Sequence, residues 1–447
     1  MANQRIGRVL AHPARIVPLA FLAVIAAGTS LLMLPAAHRD GVADPMVAGF
    51  TTVSAVCVTG LTTVDTATYW TPLGQAIILG EIQIGGFGIM SAATLVGVLL
   101  GRRLGLSRSL IAQAETHALA LGDVRTVLKR VAISMAAAEI VVALLLTMRF
   151  RAAYDDALST ALWHGVFHSV SAFNNAGFAL YSNNLMGFVA DAWIILPISA
   201  AIVAGGIGTP VFFELLKRWR RPSTWTAHTT ITVVGYLLLF VVGAGVFMVL
   251  EWTNPATLGP LSVWDKGIAG VFGGVTPRTA GYNSIDYGLI RPETLVITLV
   301  LMFIGGGAAG TAGGIKVTTF FVLGYAILAE VRGENEISVS RRTISAATLR
   351  QALSVALLGV GVVSSGMMAL LMLTDLPLDK VVFEVVSAFG TVGLSTGITP
   401  GLPVAAQLVL MVVMFVGRVG TVTAASSLAL RRRTRRYHWP EERPIVG

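Results

Sequence analysis

Four glycines in this chain stand where backbone carbonyl oxygens could hold a dehydrated cation. Each follows one short pattern: Phe, two residues, Val, then Ser or Thr, then Ala or Pro. The copies are Phe50-Thr51-Thr52-Val53-Ser54-Ala55 before Gly60, Phe167-His168-Ser169-Val170-Ser171-Ala172 before Gly177, Phe272-Gly273-Gly274-Val275-Thr276-Pro277 before Gly281, and Phe383-Glu384-Val385-Val386-Ser387-Ala388 before Gly393. Successive glycines are 117, 104 and 112 residues apart, so the repeating unit is a whole structural module. Carbonyls can crowd an ion only where side chains are absent, which is the use of a glycine here. The segments Val58-Thr59-Gly60, Asn175-Ala176-Gly177, Thr279-Ala280-Gly281 and Thr391-Val392-Gly393 contain no Asp or Glu. A carboxylate ring would suit a divalent or poorly selected cation, whereas carbonyl rings suit a large monovalent one such as K⁺. These twelve residues are the candidate ion-binding set.

The elements that position them are membrane elements. Of 447 residues, 55% are hydrophobic and 12% charged, and the mean hydropathy is +0.76. No water-soluble fold buries that much apolar surface, so the solvent is lipid. The stretch 16–35 follows Arg5, Arg8 and Arg15 like a signal peptide, but it is longer than a usual signal core and reads as the first membrane helix. Eight apolar spans can be drawn: 16–35, 72–100, 131–150, 193–216, 229–250, 294–328, 352–373 and 404–430. With the N-terminus inside, 23 of the 32 Lys and Arg fall on the inner side, which predicts a multi-pass plasma-membrane protein with both termini cytoplasmic. The basic run Arg431-Arg432-Arg433-Thr434-Arg435-Arg436 then anchors the last helix, with lipid as a secondary contact. That distribution accounts for the net charge of +9 without nucleic acid. Cys57, the single cysteine, excludes an intrachain disulfide and any multi-cysteine metal site.

Every outer loop carries the repeat, and before each glycine lies an apolar stretch too short to span a bilayer: 45–57, 160–174, 266–276 and 379–389. Irregular backbone at membrane depth is tolerated only where it is buried in protein or lines water, so these read as re-entrant helices. The expected architecture is an all-α membrane protein. Four helix–pore-loop–helix modules (1–101, 102–221, 222–333 and 334–447) surround one central pore, giving eight transmembrane helices plus four re-entrant pore helices.

The second span of each module has glycines 24 to 28 residues beyond the repeat glycine: Gly85-Gly86-Phe87-Gly88, Gly205-Gly206-Ile207-Gly208, Gly305-Gly306-Gly307 and Gly417-Arg418-Val419-Gly420. In the first two, close helix packing by small residues explains them. In the third, the run continues through Gly310, Thr311, Gly313 and Gly314 to Lys316. Each glycine costs about 1 kcal/mol of helix stability against alanine, so the helix should break there. A flexible loop below the glycines would be a gate, with Lys316 anchoring it at the cytoplasmic mouth. It is no phosphate-binding loop, since no strand precedes it. Arg418 replaces a glycine in the fourth span. A charge in a membrane helix is costly, and this one either faces the pore or pairs with Glu81 or Glu139.

Together these residues resemble the Trk/Ktr/HKT superfamily of K⁺ transporters, and most closely its KtrB-type ion-translocating subunits. The most specific stretches are Arg278-Thr279-Ala280-Gly281-Tyr282-Asn283, Ile82-Gln83-Ile84-Gly85-Gly86 and Gly417-Arg418-Val419-Gly420. TrkH-type members usually carry two extra N-terminal helices, whereas here the first span leads straight into the first pore helix. The resemblance implies a K⁺ filter with one glycine per module, at Gly60, Gly177, Gly281 and Gly393. Some plant members have serine at the first position and favour Na⁺, so Gly60 points to K⁺. It further implies an intramembrane gating loop at 305–316 and a pore arginine at Arg418. A homodimer in a bacterial membrane is implied as well, docked on a separate, KtrA-like cytosolic RCK ring that binds nucleotide. Na⁺ as an activating or coupled ion is also compatible, at a site the sequence does not locate, and no organic cofactor is expected in this chain.

Three other readings stand beside this one. A Na⁺-permeable or Na⁺-coupled transporter could share the fold. A secondary transporter of another class would show two inverted halves rather than four similar modules. Gly393-Leu394-Ser395-Thr396-Gly397 matches the G-x-S-x-G of a serine hydrolase, but that motif needs a strand-to-helix elbow and a nearby base. The chain is expected to be no enzyme.

Overall fold

The computed structural model describes residues 13–39, 41, 44–102, 124–155, 157–340 and 342–420. The basic run 431–436 lies outside them, as do most of the inner segment 102–130 and the end of the last expected span.

Each module begins with an apolar helix: α1 (Pro13–Leu32), α4 (Val124–Ala153), α8 (Ala227–Glu251) and α12 (Ala346–Leu373). A short helix follows, where a re-entrant one is expected: α2 (Pro45–Val56), α5 (Leu158–Phe173), α9 (Val263–Val275) and α13 (Leu378–Gly390). These four agree with the expected short helices to within a few residues. Their starts are capped where the sequence allows. Asp44 accepts from the Met46 amide, with Pro45 at the first turn, and Ser262 accepts from the Asp265 amide.

The second helices are where the modules diverge. In module 1, α3 (Pro72–Arg102) is continuous. In module 2, the expected single span 193–216 is instead two helices, α6 (Ala192–Gly206) and α7 (Thr209–Arg218), meeting at 105°. Gly208 makes the corner at φ +94°, and Pro210 starts the new helix, which a Cβ-bearing residue at 208 could not precede without strain. In module 3, the expected break separates α10 (Pro292–Phe303) from α11 (Val317–Val331). In module 4, α14 (Val404–Phe415) runs into a π-helical turn, Val416–Gly420, that contains Arg418. A small hairpin ahead of α12 pairs Ser338 with Thr343 and Val339 with Arg342.

Four described helices are long and apolar enough to cross a membrane (in α3, α4, α8 and α12), and the bent pair α6–α7 makes a fifth. Their outward faces are apolar: Ile140, Leu144 and Met148 on α4, Leu237 and Val241 on α8, and Leu357 and Met372 on α12 are all exposed. Such faces belong against lipid.

The repeat phenylalanines explain how the modules join. Phe50, Phe167, Phe272 and Phe383 are each 0% exposed. Each shares a hydrophobic core with the module before it around a ring. Phe50 lies with Val385, Leu410 and Met414 of module 4, and Phe167 with Ile78 and Ile82 of module 1. Phe272 lies with Ile194, Ile198 and Ile202 of module 2, and Phe383 with Phe247 and Met302 of module 3. Burying one such side chain is worth about 3 kcal/mol, so the same residue that recurs in sequence closes every seam in space.

Candidate functional site

At the C-terminus of each re-entrant helix the backbone enters an alternating conformation. Val58, Asn175, Thr279 and Thr391 have φ of 56°, 60°, 71° and 48°, and two residues on Gly60, Gly177, Gly281 and Gly393 have φ of 95°, 70°, 73° and 92°. A non-glycine residue at positive φ costs about 1 kcal/mol or more, and here the cost recurs in every module at the same place. The repeat Ser or Thr holds the loop. Ser54 Oγ accepts the Gly60 amide at 3.0 Å and Ser387 Oγ the Gly393 amide at 3.1 Å. Ser171 Oγ donates to Phe178 O at 2.9 Å, and Thr276 Oγ1 donates to Tyr282 O. The amide just before each glycine also bonds back to the carbonyl of this residue: Thr59 to Ser54 (2.7 Å), Ala176 to Ser171 (2.8 Å), Ala280 to Thr276 (3.1 Å) and Val392 to Ser387 (2.8 Å). The third link spans one residue fewer, which accounts for the shorter Ser/Thr-to-glycine spacing in module 3.

The four glycines form a closed ring. A Cβ on Gly60 would fall 3.2 Å from Gly177 Cα, on Gly177 2.8 Å from Gly281 Cα, on Gly281 3.2 Å from Gly393 Cα, and on Gly393 3.0 Å from Gly60 Cα. Each such Cβ would also strike the carbonyl of the residue before the next glycine: Ala176 O, Ala280 O, Val392 O and Thr59 O in turn. The ring therefore interleaves four Cα atoms with four carbonyl oxygens and has no room for a side chain. Asn175 ties neighbours together. With its amide turned so that nitrogen faces Ala172 O (3.2 Å) and Ile202 O (3.1 Å), its oxygen receives the Thr279 hydroxyl 3.3 Å away. All twelve expected residues thus lie in the four ring segments, with Val58 and Thr391 at the entry of theirs.

The glycine-rich segment is docked against this assembly. Its neck is closed by Gly305 N donating to Ile315 O (2.8 Å) and Val317 N to Gly306 O (3.0 Å). It binds module 2 through Gly307 N to Gly206 O (2.8 Å), Thr311 N to Gly205 O (3.1 Å) and Thr311 Oγ1 to Phe173 O (3.2 Å). Gly310 packs on Gly206, and Gly313 on Gly390 and Thr391, with Gly314 at φ +63° against Gly390. Lys316 Nζ donates to Ala312 O within the loop.

Arg418 is 1% exposed. Its guanidinium donates to Thr311 O in the loop and to Gly85 O of module 1 at 3.5 Å. The expected alternative of a pair with Glu81 or Glu139 does not occur. Glu81 accepts from Thr52 Oγ1 (3.3 Å), and Glu139 from Gln83 (3.1 Å) and Asn174 (3.2 Å). The packing role expected of the second-helix glycines is seen in modules 1 and 2, and extends to module 4: Gly85, Gly205 and Gly417 abut the terminal carbonyls of their own re-entrant helices, at Val56, Phe173 and Phe389. Gly305 abuts Gly313 instead.

Several contacts in and around the site escaped sequence reasoning. Arg278, expected in an outer loop, is 2% exposed with its guanidinium over the Tyr236 ring, 3.5 Å from the centroid, and donates to Tyr236 O at 2.9 Å. Glu81, Glu139, Glu251 and Glu384, one per module, are buried. The bend in module 2 had a signal, Gly208-Thr209-Pro210, in the usual form of a helix stop followed by a start. Ser395 does not sit on a strand-to-helix elbow. Its hydroxyl donates to the Glu384 carboxylate, 3.0 Å from both oxygens.

Four short helices that end at one carbonyl-lined ring, set among long apolar helices, define a helical integral membrane protein. Residues 3–432 match the TrkH family, described as cation transport protein, and the chain belongs to that family, which is one of transporters and not of enzymes. It is 40% identical over 417 residues to the Ktr system potassium uptake protein B of Bacillus subtilis, spanning 93% of each chain. It is 34% identical over 445 residues to the potassium/sodium uptake protein NtpJ of Enterococcus hirae, spanning 97% of each. The fold is similar to that of the potassium transporter TrkH from Vibrio parahaemolyticus, with a TM-score of 0.74 over 92% of this chain and 83% of that one, at 18% identity.

Proposed function

We propose that this chain carries K⁺ passively into a bacterial cell through a gated pore. The observation that supports this most is the closed ring of Gly60, Gly177, Gly281 and Gly393 with its four interleaved carbonyls. Carbonyls replace the hydration shell of a weakly hydrated monovalent cation. The ring residues, from Val58–Gly60 through Thr391–Gly393, are the filter of this reading. The re-entrant helices end at it, so the negative ends of their dipoles favour a cation there. Moving one charge through 100 mV is worth about 2.3 kcal/mol, so ~150 mV sustains a several-hundred-fold gradient with no coupled ion. The potassium uptake proteins similar to this chain are consistent with K⁺ as cargo.

In this reading the chain comprises four modules (1–101, 102–221, 222–333 and 334–447) with eight membrane spans, four pore helices and cytoplasmic termini. The loop from Gly305 to Lys316 is the gate, and Arg418 is its latch to the last helix. A homodimer would dock on a separate cytosolic RCK ring that binds nucleotide, a partner arrangement in keeping with the Ktr system names of its relatives. A second reading, a Na⁺-permeable or Na⁺-stimulated transporter of the same fold, is favoured by the printed potassium/sodium activity of the Enterococcus relative. Cation flux into proteoliposomes under imposed voltage separates these. K⁺-selective, voltage-driven flux supports the first, equal Na⁺ flux or a Na⁺ requirement the second, and no cation flux at all would overturn both.

A further inference from the structure

Glu139 lies within α4, a helix whose outward face is apolar, yet it is 7% exposed and meets no Lys or Arg. The ion pairs among the described residues are Arg149–Asp191 and His164–Asp155, both elsewhere. An isolated carboxylate in such a place costs several kcal/mol unless its oxygens are well bonded.

Here they are bonded by a closed triangle of side chains from three elements. Gln83 Nε2 of α3 donates to Glu139 Oε2 at 3.1 Å, and Asn174 Nδ2 at the C-cap of α5 donates to Glu139 Oε1 at 3.2 Å. Asn174 Nδ2 also reaches Gln83 Oε1 at 2.9 Å and Val170 O at 2.9 Å. Ser169 Oγ, earlier on α5, donates to the Glu139 backbone carbonyl at 2.6 Å. The same residue of α4 therefore grips the second re-entrant helix at two points about a turn apart, and Gln83 ties that grip to module 1.

What is gripped leads directly into the ring. Asn174 is followed by Asn175 at φ 60°, then by Ala176, whose carbonyl faces Gly60. The residues at the corresponding place in modules 1 and 4, three beyond the repeat serine, are Cys57 and Gly390. Among the described residues neither receives a carboxylate of its own module: Glu81 reaches Thr52, and Glu384 reaches Ser395 and Thr399. Module 2 thus has its own device for fixing the cap. The acceptors suit a carboxylate and not an amide, since both Oε1 and Oε2 face N–H donors, so a glutamine would set its own NH₂ against one of them.

We propose that Glu139 is a positioning residue for selectivity: through Asn174 it fixes the Ala176 carbonyl at the radius that distinguishes K⁺ from Na⁺. This rests on the reading of the ring as a filter. The test is bi-ionic flux in proteoliposomes of wild type, Glu139→Gln and Gln83→Met, with Glu251→Gln as the control. Glu251 is also fully buried and bonded, to Asn254, Thr257, Arg291 and Thr294, but at the outer end of α8. Expected is a fall of about tenfold in the K⁺ over Na⁺ flux ratio for Glu139→Gln, a smaller fall in the same direction for Gln83→Met, and an unmoved ratio for Glu251→Gln despite a lower melting temperature. A ratio equal to wild type in folded Glu139→Gln or, if that variant is not recovered folded, in Gln83→Met overturns the proposal. So does an equal fall in the Glu251→Gln control, which would reduce the effect to general destabilisation. Wild type that fails to prefer K⁺ defeats the filter reading itself, a distinct outcome.

Discussion

The Arg418 guanidinium donates to the Thr311 carbonyl, so the one cation among the described residues of the last helix is bound by the loop that interrupts the module before it. Both partners are buried, at 1% and 0% exposure. Arg418 stands where Gly86, Gly206 and Gly306 stand in the other modules, and a side chain fits there because the loop supplies acceptors instead of bulk. The contact joins the loop of module 3 to the last helix, beside the core that Ile315 shares with Leu410, Val413 and Met414.

Arg418→Gln should therefore loosen the loop. It removes the charge, keeps an amide donor, and is expected to raise basal K⁺ flux several-fold. The buried carbonyls left under-satisfied cost about 1–3 kcal/mol. Flux in proteoliposomes together with thermal melting checks both. Lower stability with unchanged or reduced flux counts against the latch.

Deleting residues 306–313 removes the loop's bonds to Gly205 and Gly206 along with the Arg418 contact. K⁺ flux of the chain without any partner is expected to exceed that of wild type. Flux no higher than wild type in a folded deletion protein sinks the gate assignment.

Gly60→Ser meets two obstacles, a φ of 95° and the Ala176 carbonyl in the path of the new Cβ. The ring must widen or the neighbouring carbonyl must turn. The K⁺ over Na⁺ uptake ratio in a host lacking K⁺ transport is expected to fall by about tenfold or more. An unaltered ratio would show that Gly60 does not contribute to selection.

Ser54→Ala and Ser387→Ala each strip the hydroxyl that accepts a ring glycine amide, at 3.0 and 3.1 Å. An amide left without a partner costs about 1–3 kcal/mol. Each variant should melt lower and select less well, and the two should be worse together than their sum, because both amides belong to one ring. Strictly additive effects, measured as a double-mutant cycle on melting and flux ratio, would argue that the modules hold their segments independently.

Much of the architecture was legible in the chain because the repeat carries its own physics. Phe is buried at a seam, Ser or Thr binds the loop backbone, and Gly clears space, so a period of type and spacing marked each re-entrant helix closely. The break at Gly305–Gly314 was legible for a similar reason, since glycine density lowers helix stability locally. The 105° turn at Gly208 was masked by the apolar run around it, although Pro210 follows. The contacts of Glu139 and Arg278 were hidden more deeply, because their partners Gln83, Asn174 and Tyr236 lie on other elements and no local pattern couples them.

Sequence alone determined that this chain lives in lipid, that one short pattern recurs four times before a glycine, and where each short helix falls, because hydropathy, helix length and the need for a side-chain-free backbone are local properties. Only the tertiary structure decided that the four glycines meet Cα to Cα and that each repeat Phe closes the seam with the preceding module. It also decided that Arg418 binds a carbonyl of a foreign loop rather than a carboxylate. Such contacts depend on which backbone oxygen faces which cavity, and every residue supplies a carbonyl, so nothing in the order of side chains distinguishes the one that is used.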